Sequence, residues 1–162
     1  MKCEIISVGD ELLIGQTINT NSSWLGEQLN NLGFTIGHGL VISDQKTDIV
    51  NALRQAENRS DIVLITGGLG PTNDDITKHT LTEYFNTTLE LNKEIEQNII
   101  DYFTSRNLPI LQTNKDQALI PKSCQVLPNN RGSASGMWFK KNGVIFISLP
   151  GVPYEMKGIM ND

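Results

Sequence analysis

Short apolar runs alternate along the first half of the chain with segments whose apolar residues recur at helical spacing. The runs are rich in β-branched residues and predict three buried strands, at 2–8, 34–42 and 62–65. Between them, apolar residues three and four positions apart predict helices over about 20–31 and 46–58. Strands that alternate with helices of this length form parallel βαβ units. The pattern therefore predicts an α/β domain whose mostly parallel central sheet is covered on both faces.

The second half of the chain is less regular. The predicted elements are, in order, a long amphipathic helix over 92–106, a helical turn over 113–119, a short strand over 125–127, and strands at 137–140 and 144–149. Asn142-Gly143 between the last two strands is typical of a β-hairpin. Pro153 suits the first turn of a final helix, which is cut off at Asp162. We expect one domain over residues 1–162, removed from a longer two-domain chain.

The composition is that of a globular domain, with 38% hydrophobic and 19% charged residues among 162. The net charge of −5 argues against binding to nucleic acid or to an anionic membrane, because both need a basic face. No apolar segment approaches the length of a membrane span. The two cysteines, Cys3 and Cys124, imply no disulfide framework, so we expect a cytoplasmic protein.

The strand at 62–65 runs into a glycine-rich loop, Gly67-Gly68-Leu69-Gly70-Pro71. Thr72, Asn73 and Asp74 are good N-caps for a following helix, and a strand, a glycine loop and a helix N-terminus together form an anion site. Neither standard phosphate motif fits. Thr72 replaces the second glycine of GxxxxGK[ST], and Asn73 replaces the third glycine of GxGxxG.

Two acids, Asp74 and Asp75, stand where a phosphate would dock, and bare carboxylates repel phosphate. Either they cap the helix, or they hold a divalent cation or the donor groups of a ligand. A hard cation such as magnesium would let acids and phosphate share the loop, so we adopt the ligand site. Lys78, one turn further on, could pair with Asp74 or reach a phosphate, and both interpretations stay open.

Ligands of open parallel sheets bind outside the carboxyl ends of the strands. Four loops leave strands there: Gly9-Asp10-Glu11, Ser43-Asp44, Gly67 to Asp75 and Leu149-Pro150-Gly151. The small-residue loop 129–136 would add neutral donors if it joins them, through Ser133, Ser135 and the backbone at Gly132 and Gly136. Each loop alone could be an ordinary turn, but together they predict one pocket.

Four stretches resemble one family. They are EIISVGDELLIGQTINTNSSWL (4–25), TGGLGPTNDDITK (66–78), NRGSASGMW (130–138) and LPGVPYEM (149–156). They are similar to the N-terminal domain of the CinA (competence/damage-inducible) family, whose fold is shared with MogA, MoaB and the gephyrin domains. The resemblance covers essentially the whole chain. It implies a three-layer α/β/α molybdopterin-binding domain with its pocket at the glycine loop.

The resemblance also implies the site. In the molybdopterin enzymes two aspartates contact pterin or metal, and their positions match Asp44 and Asp75. Leu69 and the extra acid Asp74 depart from the MogA-like pattern and favour the CinA branch. The predicted ligand-binding residues are Gly9, Asp10, Asn19, Asn21, Asp44, Thr66, Gly67, Gly68, Leu69, Gly70, Pro71, Thr72, Gly132, Ser133, Ala134, Gly136, Pro150 and Gly151.

The activity implied by the resemblance is a divalent-metal-dependent ADP-ribose pyrophosphatase, stimulated by K⁺. Mg²⁺, Co²⁺ or Mn²⁺ would be held by Asp44, Asp74 and Asp75. The predicted catalytic residues are Asp75, Asp74, Glu11 (with Asp10 as the other candidate base) and Lys78.

Two other functions stay open. One is a molybdopterin-binding or transfer module without hydrolysis, and the other is a non-catalytic partner of a C-terminal nicotinamide-nucleotide amidohydrolase domain that is missing here. We expect a homo-oligomer, a dimer or trimer, that binds a small phosphorylated nucleotide or pterin.

Overall fold

The computed structural model describes residues 1–72 and 75–162. The strands are β1 (Lys2–Val8), β2 (Thr35–Ile42), β3 (Ile62–Thr66), β4 (Leu89–Leu91), β5 (Leu119–Pro121), β6 (Gln125–Leu127), β7 (Gly136–Lys141) and β8 (Val144–Leu149). The helices are α1 (Asp10–Leu13), α2 (Thr20–Asn31), α3 (Lys46–Glu57), α4 (Thr77–Tyr84), α5 (Lys93–Thr104), α6 (Gln112–Lys115), a 3₁₀ turn (Asp116–Ala118) and α7 (Pro153–Asn161).

A six-stranded sheet with the order β2-β1-β3-β8-β7-β6 forms the centre of the domain. β2, β1, β3 and β8 are parallel neighbours, whereas β7 and β6 run antiparallel. The predicted α/β class with a mostly parallel sheet is therefore confirmed, and so is the hairpin that joins β7 to β8. The carboxyl ends of four strands consequently meet at one edge of the sheet.

Helices cover both faces of the sheet, because successive strand residues point to opposite sides. In β1, Ile6 packs with Leu53 of α3, whereas Ile5 packs with Leu25 of α2 and Met156 of α7. All five side chains are buried. Burying such a side chain contributes about 1.5–3 kcal/mol, so these two apolar layers fix the three-layer arrangement.

Two predictions at the strand ends are wrong in detail. Asp10 and Glu11, which were predicted to lie in a loop, form the first turn of α1, because the N–H groups of Leu12 and Leu13 bond to the carbonyl of Gly9. α4 begins at Thr77, and its N-cap position, Ile76, provides no side-chain cap. Thr72 therefore does not cap this helix. The candidate caps Asn73 and Asp74 lie outside the described residues.

The second half contains a small antiparallel sheet, β4 with β5, that the sequence did not predict. Strands of three residues are too short to show the alternation that marks a strand. The predicted helical turn is present as α6 and the 3₁₀ turn, and α5 begins after Asn92, whose side chain caps it. Within the described ranges, no helix combines the length and apolar character that a membrane crossing needs.

Candidate functional site

One cavity of about 400 Å³ opens at the carboxyl ends of β1, β3 and β8, within the about 300–1,000 Å³ common for small-ligand sites. We call it the main cavity. The predicted site residues that line it are Gly9, Glu11, Asn19, Asn21, Asp44, Thr66, Gly67, Gly68, Leu69, Gly70, Pro71, Asp75, Ser133, Ala134, Pro150 and Gly151. The structure thus gathers the four strand-end loops and the small-residue loop at one site.

The other described site residues lie outside this lining: Asp10, Thr72, Lys78, Gly132 and Gly136. The carboxylate of Asp10 accepts a hydrogen bond from the N–H of Asp44 at 3.3 Å, and the N–H of Asp10 donates to the carboxylate of Asp44 at 3.2 Å. Gly132, like Ser135, lines a separate cavity of about 210 Å³, and Gly136 begins β7. The predicted residue Asp74 lies outside the described part of the chain.

The glycine loop is held tightly between β1 and β8. Gly67 has a φ of +110°, and a Cβ there would overlap the carbonyl oxygen of Val8. Its N–H donates to the carbonyl of Leu149 at 3.1 Å. Among the described residues, the N–H groups of 68–70 have no acceptor. Three consecutive N–H groups of this kind can bind an anion.

Two asparagines at the start of α2 tie the loops together. Asn19 accepts from the N–H of Ser22 at 3.1 Å and therefore caps the helix, as predicted. Asn21 donates to Thr66 Oγ1 at 2.9 Å and to the carbonyl of Gly151 at 2.8 Å. Its Oδ1 is buried without a partner in the described part of the chain. Asn21 thus fixes the end of β3 against the elbow after β8 and leaves one acceptor unused.

The main cavity is strongly acidic. Four carboxylic acids line it, Glu11, Asp44, Asp75 and Glu155, and the described lining contains no lysine, arginine or histidine. Burial raises the pKa of Asp44, and the negative charges of Asp10, Glu11 and Asp75 raise it further, against a hydrogen bond from the N–H of Asp10. A phosphate in this cavity therefore needs a cation as well as the backbone N–H groups.

The described carboxylates fit a metal ion that is shared with a ligand. Within residues 1–72 and 75–162, no three His, Cys, Asp or Glu side chains converge to hold an ion. Magnesium usually binds one or two carboxylates together with substrate phosphates and water. Asp44 and Asp75, which both line the cavity, are the described carboxylates that would supply that number.

Glu155 and Gln117 are among the residues of the cavity wall that sequence reasoning missed. Glu155, in the first turn of α7, accepts from Asn129 Nδ2 at 2.6 Å. It stands four residues after Gly151, the last residue of the Leu149-Pro150-Gly151 elbow, and this position could have identified it. Gln117, in the 3₁₀ turn, donates from Nε2 to the carbonyl of Leu69 at 3.4 Å. No local pattern marks Gln117, because it reaches the loop through a contact 48 residues away in sequence.

Glu155→Gln should remove a pH dependence from folding stability. Burial raises the pKa of Glu155 above 4.5, although hydrogen bonds from Asn129 and the backbone of Ala134 oppose this. The native state therefore binds more protons than the unfolded state, and the wild type loses stability as pH rises from 4.5 through the raised pKa. In urea unfolding between pH 4 and 7, the free energy of unfolding of the variant should rise relative to that of the wild type as the pH increases. Parallel curves would contradict this assignment.

A second groove of about 330 Å³ adjoins the main cavity, and we call it the outer groove. Lys78 lines the outer groove and not the main cavity. Its Nζ donates to the carbonyl of Asp116 at 3.0 Å. Burial lowers the pKa of this amine to about 8, partly offset by the charge of Asp116. Thr72 also lines this groove, and its N–H donates to Asp75 Oδ2 at 2.9 Å.

Comparison with known proteins places this fold and site in a family. A family model described as "Probable molybdopterin binding domain" matches residues 4–162. The crystal structure of CinA from Thermoplasma acidophilum has a TM-score of 0.88 and 33% identity, over 99% of this chain and 94% of that chain. The chain belongs to this family, in its CinA-like branch. The family resemblance of the four sequence stretches is therefore confirmed.

Other relatives extend the comparison. A CinA-like protein from Cytophaga hutchinsonii is 50% identical over 159 residues, which are 98% of this chain and 38% of that protein. A CinA-like protein from Flavobacterium psychrophilum is 51% identical over 166 residues, 100% of this chain and 39% of that protein. The chain thus spans less than half the length of these CinA-like relatives. The molybdopterin biosynthesis enzyme MoaB from Thermus thermophilus shares the fold. Its structure has a TM-score of 0.63 and 18% identity, over 98% of this chain and 86% of that chain.

Proposed function

We propose that this CinA-like domain hydrolyses the diphosphate of ADP-ribose, or of a related nucleotide, to AMP and ribose 5-phosphate with a divalent metal ion. The observation that carries the proposal is the meeting of two groups in one cavity. Residues 68–70, whose N–H groups have no acceptor among the described residues, line this cavity together with the carboxylates of Asp44 and Asp75. A diphosphate that carries a metal ion satisfies both, whereas a bare phosphate would be repelled by the acids.

Each side chain has a distinct part in this proposal. The N–H groups of the glycine loop would hold one phosphate, and Asp44 and Asp75 would hold the metal ion directly or through water. Asp74 would join them as a third ligand. When bound, a divalent ion polarises a phosphoryl oxygen and lowers the pKa of a nearby water.

Glu11 is the base that the structure favours in this scheme. Its carboxylate lines the cavity, and a Cβ at Gly9 would lie 2.5 Å from Oε1, so the chain leaves room for this side chain to fold back. Asp10 is instead engaged with the backbone of Asp44. Glu11 would take a proton from the attacking water while the water oxygen bonds to one phosphorus. The bond from that phosphorus to the bridging oxygen would break, and the bridging oxygen would leave with the other phosphate.

Asp75→Asn should lower metal-dependent turnover roughly 100-fold without unfolding the domain. An asparagine oxygen can still accept from the N–H and Oγ1 of Thr72, which both bond to Asp75 Oδ2, so the loop should persist. The measurement is AMP release from ADP-ribose, with and without a divalent cation. Asp101→Asn, an exposed change on α5, is the matched control. Undiminished turnover in Asp75→Asn at an equal melting temperature would sink the proposal.

A second candidate is the binding or transfer of molybdopterin without hydrolysis. The family description and the acceptor-rich wall favour it, because a pterin ring presents amino and ring N–H donors to carboxylates. Fluorescence of a pterin that stays bound through purification, together with no AMP release, would select this function. Metal-dependent AMP release from protein free of pterin would reject it.

A further inference from the structure

The main cavity and the outer groove share part of their walls, and we call them the two lobes. Both are lined by Gly70, Pro71, Asp75 and Gln117, and we call these four shared residues the saddle. The volumes of the lobes are similar, about 400 Å³ and about 330 Å³. A ligand with two bulky halves joined by a short linker can therefore occupy both lobes with its linker over the saddle.

The two lobes differ in charge. The described wall of the main cavity has four carboxylic acids and no basic side chain. The outer groove contains Lys78 and His79, with the hydroxyls of Thr72 and Thr113 beside them. Asp75 and Asp116 also line the outer groove, so its wall carries charges of both signs. The basic groups that could bind a phosphate by charge therefore lie only on the outer side of the saddle in the described residues.

A buried amide marks the junction. Gln117 is only 4% exposed and belongs to the lining of both lobes. Its Oε1 has no hydrogen-bond partner within the described chain. A buried acceptor without a partner costs about 1–3 kcal/mol, so a donor that arrives with a ligand or a water would relieve this cost.

We propose that the outer groove is the subsite for the phosphosugar half of the substrate, with its phosphate on Lys78, while the nucleoside half occupies the main cavity. This rests on the proposed function and adds the orientation of the substrate. The nucleobase amino group and the ribose hydroxyls meet the carboxylates, and the scissile bond lies over the saddle beside Asp75. The leaving phosphate then departs toward an ammonium group.

Binding of the two product halves tests this orientation without turnover. Ribose 5-phosphate is titrated by calorimetry into the protein, alone and saturated with AMP, in the presence of Mg²⁺. Lys78→Met should weaken ribose 5-phosphate binding about tenfold or more, since a charge-assisted hydrogen bond is lost, and leave AMP binding within about twofold. Lys93→Met, an exposed change on α5, is the matched control. Lys78→Gln serves if the methionine variant melts early.

Ribose 5-phosphate that binds to the AMP-saturated protein and is lost on replacing Lys78 would support the orientation. Competition between the two products, an unchanged affinity in both Lys78 variants, or no binding to the wild type would overturn it. AMP release from ADP-ribose is measured separately. Simultaneous binding without hydrolysis would reject the proposed function alone, whereas hydrolysis with products that compete would reject the orientation alone.

The pH dependence of binding gives a second readout. Since the pKa of Lys78 lies at about 8, ribose 5-phosphate should bind the wild type less tightly as pH rises from 7 to 9. The other titratable groups of the groove are Asp75, His79 and Asp116. Lys78→Arg keeps its charge over this range and should flatten the profile. A profile as steep in Lys78→Arg as in the wild type would count against Lys78 as the phosphate contact.

Discussion

Gly67→Ala should lower the free energy of unfolding by about 4 kcal/mol and abolish ligand binding in the main cavity. Gly67 has a φ of +110°, which side chains rarely adopt, and an added Cβ would overlap the carbonyl oxygen of Val8 and lie 3.2 Å from its carbon. That carbonyl belongs to the end of β1 and has little room to move. The glycine loop must shift outward, and the row of N–H groups would shift with it.

Gly143→Ala separates backbone strain from this overlap. Gly143 has a φ of +86° in the turn between β7 and β8, and nothing lies within 4 Å of an added Cβ. Its replacement should cost only the strain, about 1 kcal/mol. Urea unfolding of both variants, with AMP and pterin titrations, provides the comparison. Equal losses of stability in the two variants would mean that the overlap with the Val8 carbonyl adds no cost beyond backbone strain.

Glu4→Ala should destabilise the domain by about 3 kcal/mol. Glu4 is fully buried in β1, and its carboxylate accepts from Arg59 Nη2 at 2.6 Å, Arg59 Nε at 2.9 Å and Ser60 Oγ at 3.0 Å. This paired carboxylate raises the pKa of the Arg59 guanidinium. Removing it leaves a void and three donors without their acceptor. The Arg59 side chain is one-third exposed and can turn to water, which keeps the loss below that of a fully buried pair.

Chemical denaturation of Glu4→Ala beside Glu27→Ala, an exposed change on α2, measures this effect. Glu4→Met combined with Arg59→Met should be more stable than Glu4→Met alone, because two apolar side chains can fill the space of a buried ion pair. A loss under about 1 kcal/mol in Glu4→Ala would show that the pair is replaceable by water.

The sequence identified the parts of the site that follow strands. Asp44 and Asp75 were predictable because each stands in a loop after a parallel strand, and the carboxyl ends of parallel strands meet. α1 was less visible, because a four-residue helix has no periodicity. Even so, two acids after Gly9 are what the start of a helix favours, and this signal could have been used.

The remaining parts depend on contacts between distant segments. Gln117 reaches the cavity from a 3₁₀ turn, and Lys78 faces Asp116, 38 residues away. The sequence left open whether Lys78 pairs with Asp74 or reaches a phosphate. The answer depends on where the 3₁₀ turn that contains Asp116 packs. Helical periodicity placed Lys78 on α4 but could not say which cleft it faces. Tertiary packing decided this, and no local pattern encodes it.

The position of β8 has a consequence for synthesis of the protein. β8 lies beside β3 in the middle of the sheet, although a long stretch of chain separates the two strands. While a nascent chain lacks residues 144–149, the inner edge of β3 stays unpaired, and an open apolar edge is a template for aggregation. The elbow after β8, whose Gly151 carbonyl accepts a hydrogen bond from Asn21, is also synthesised only after this strand. A ligand that needs the whole cavity would therefore bind only those chains in which β8 has already paired with β3.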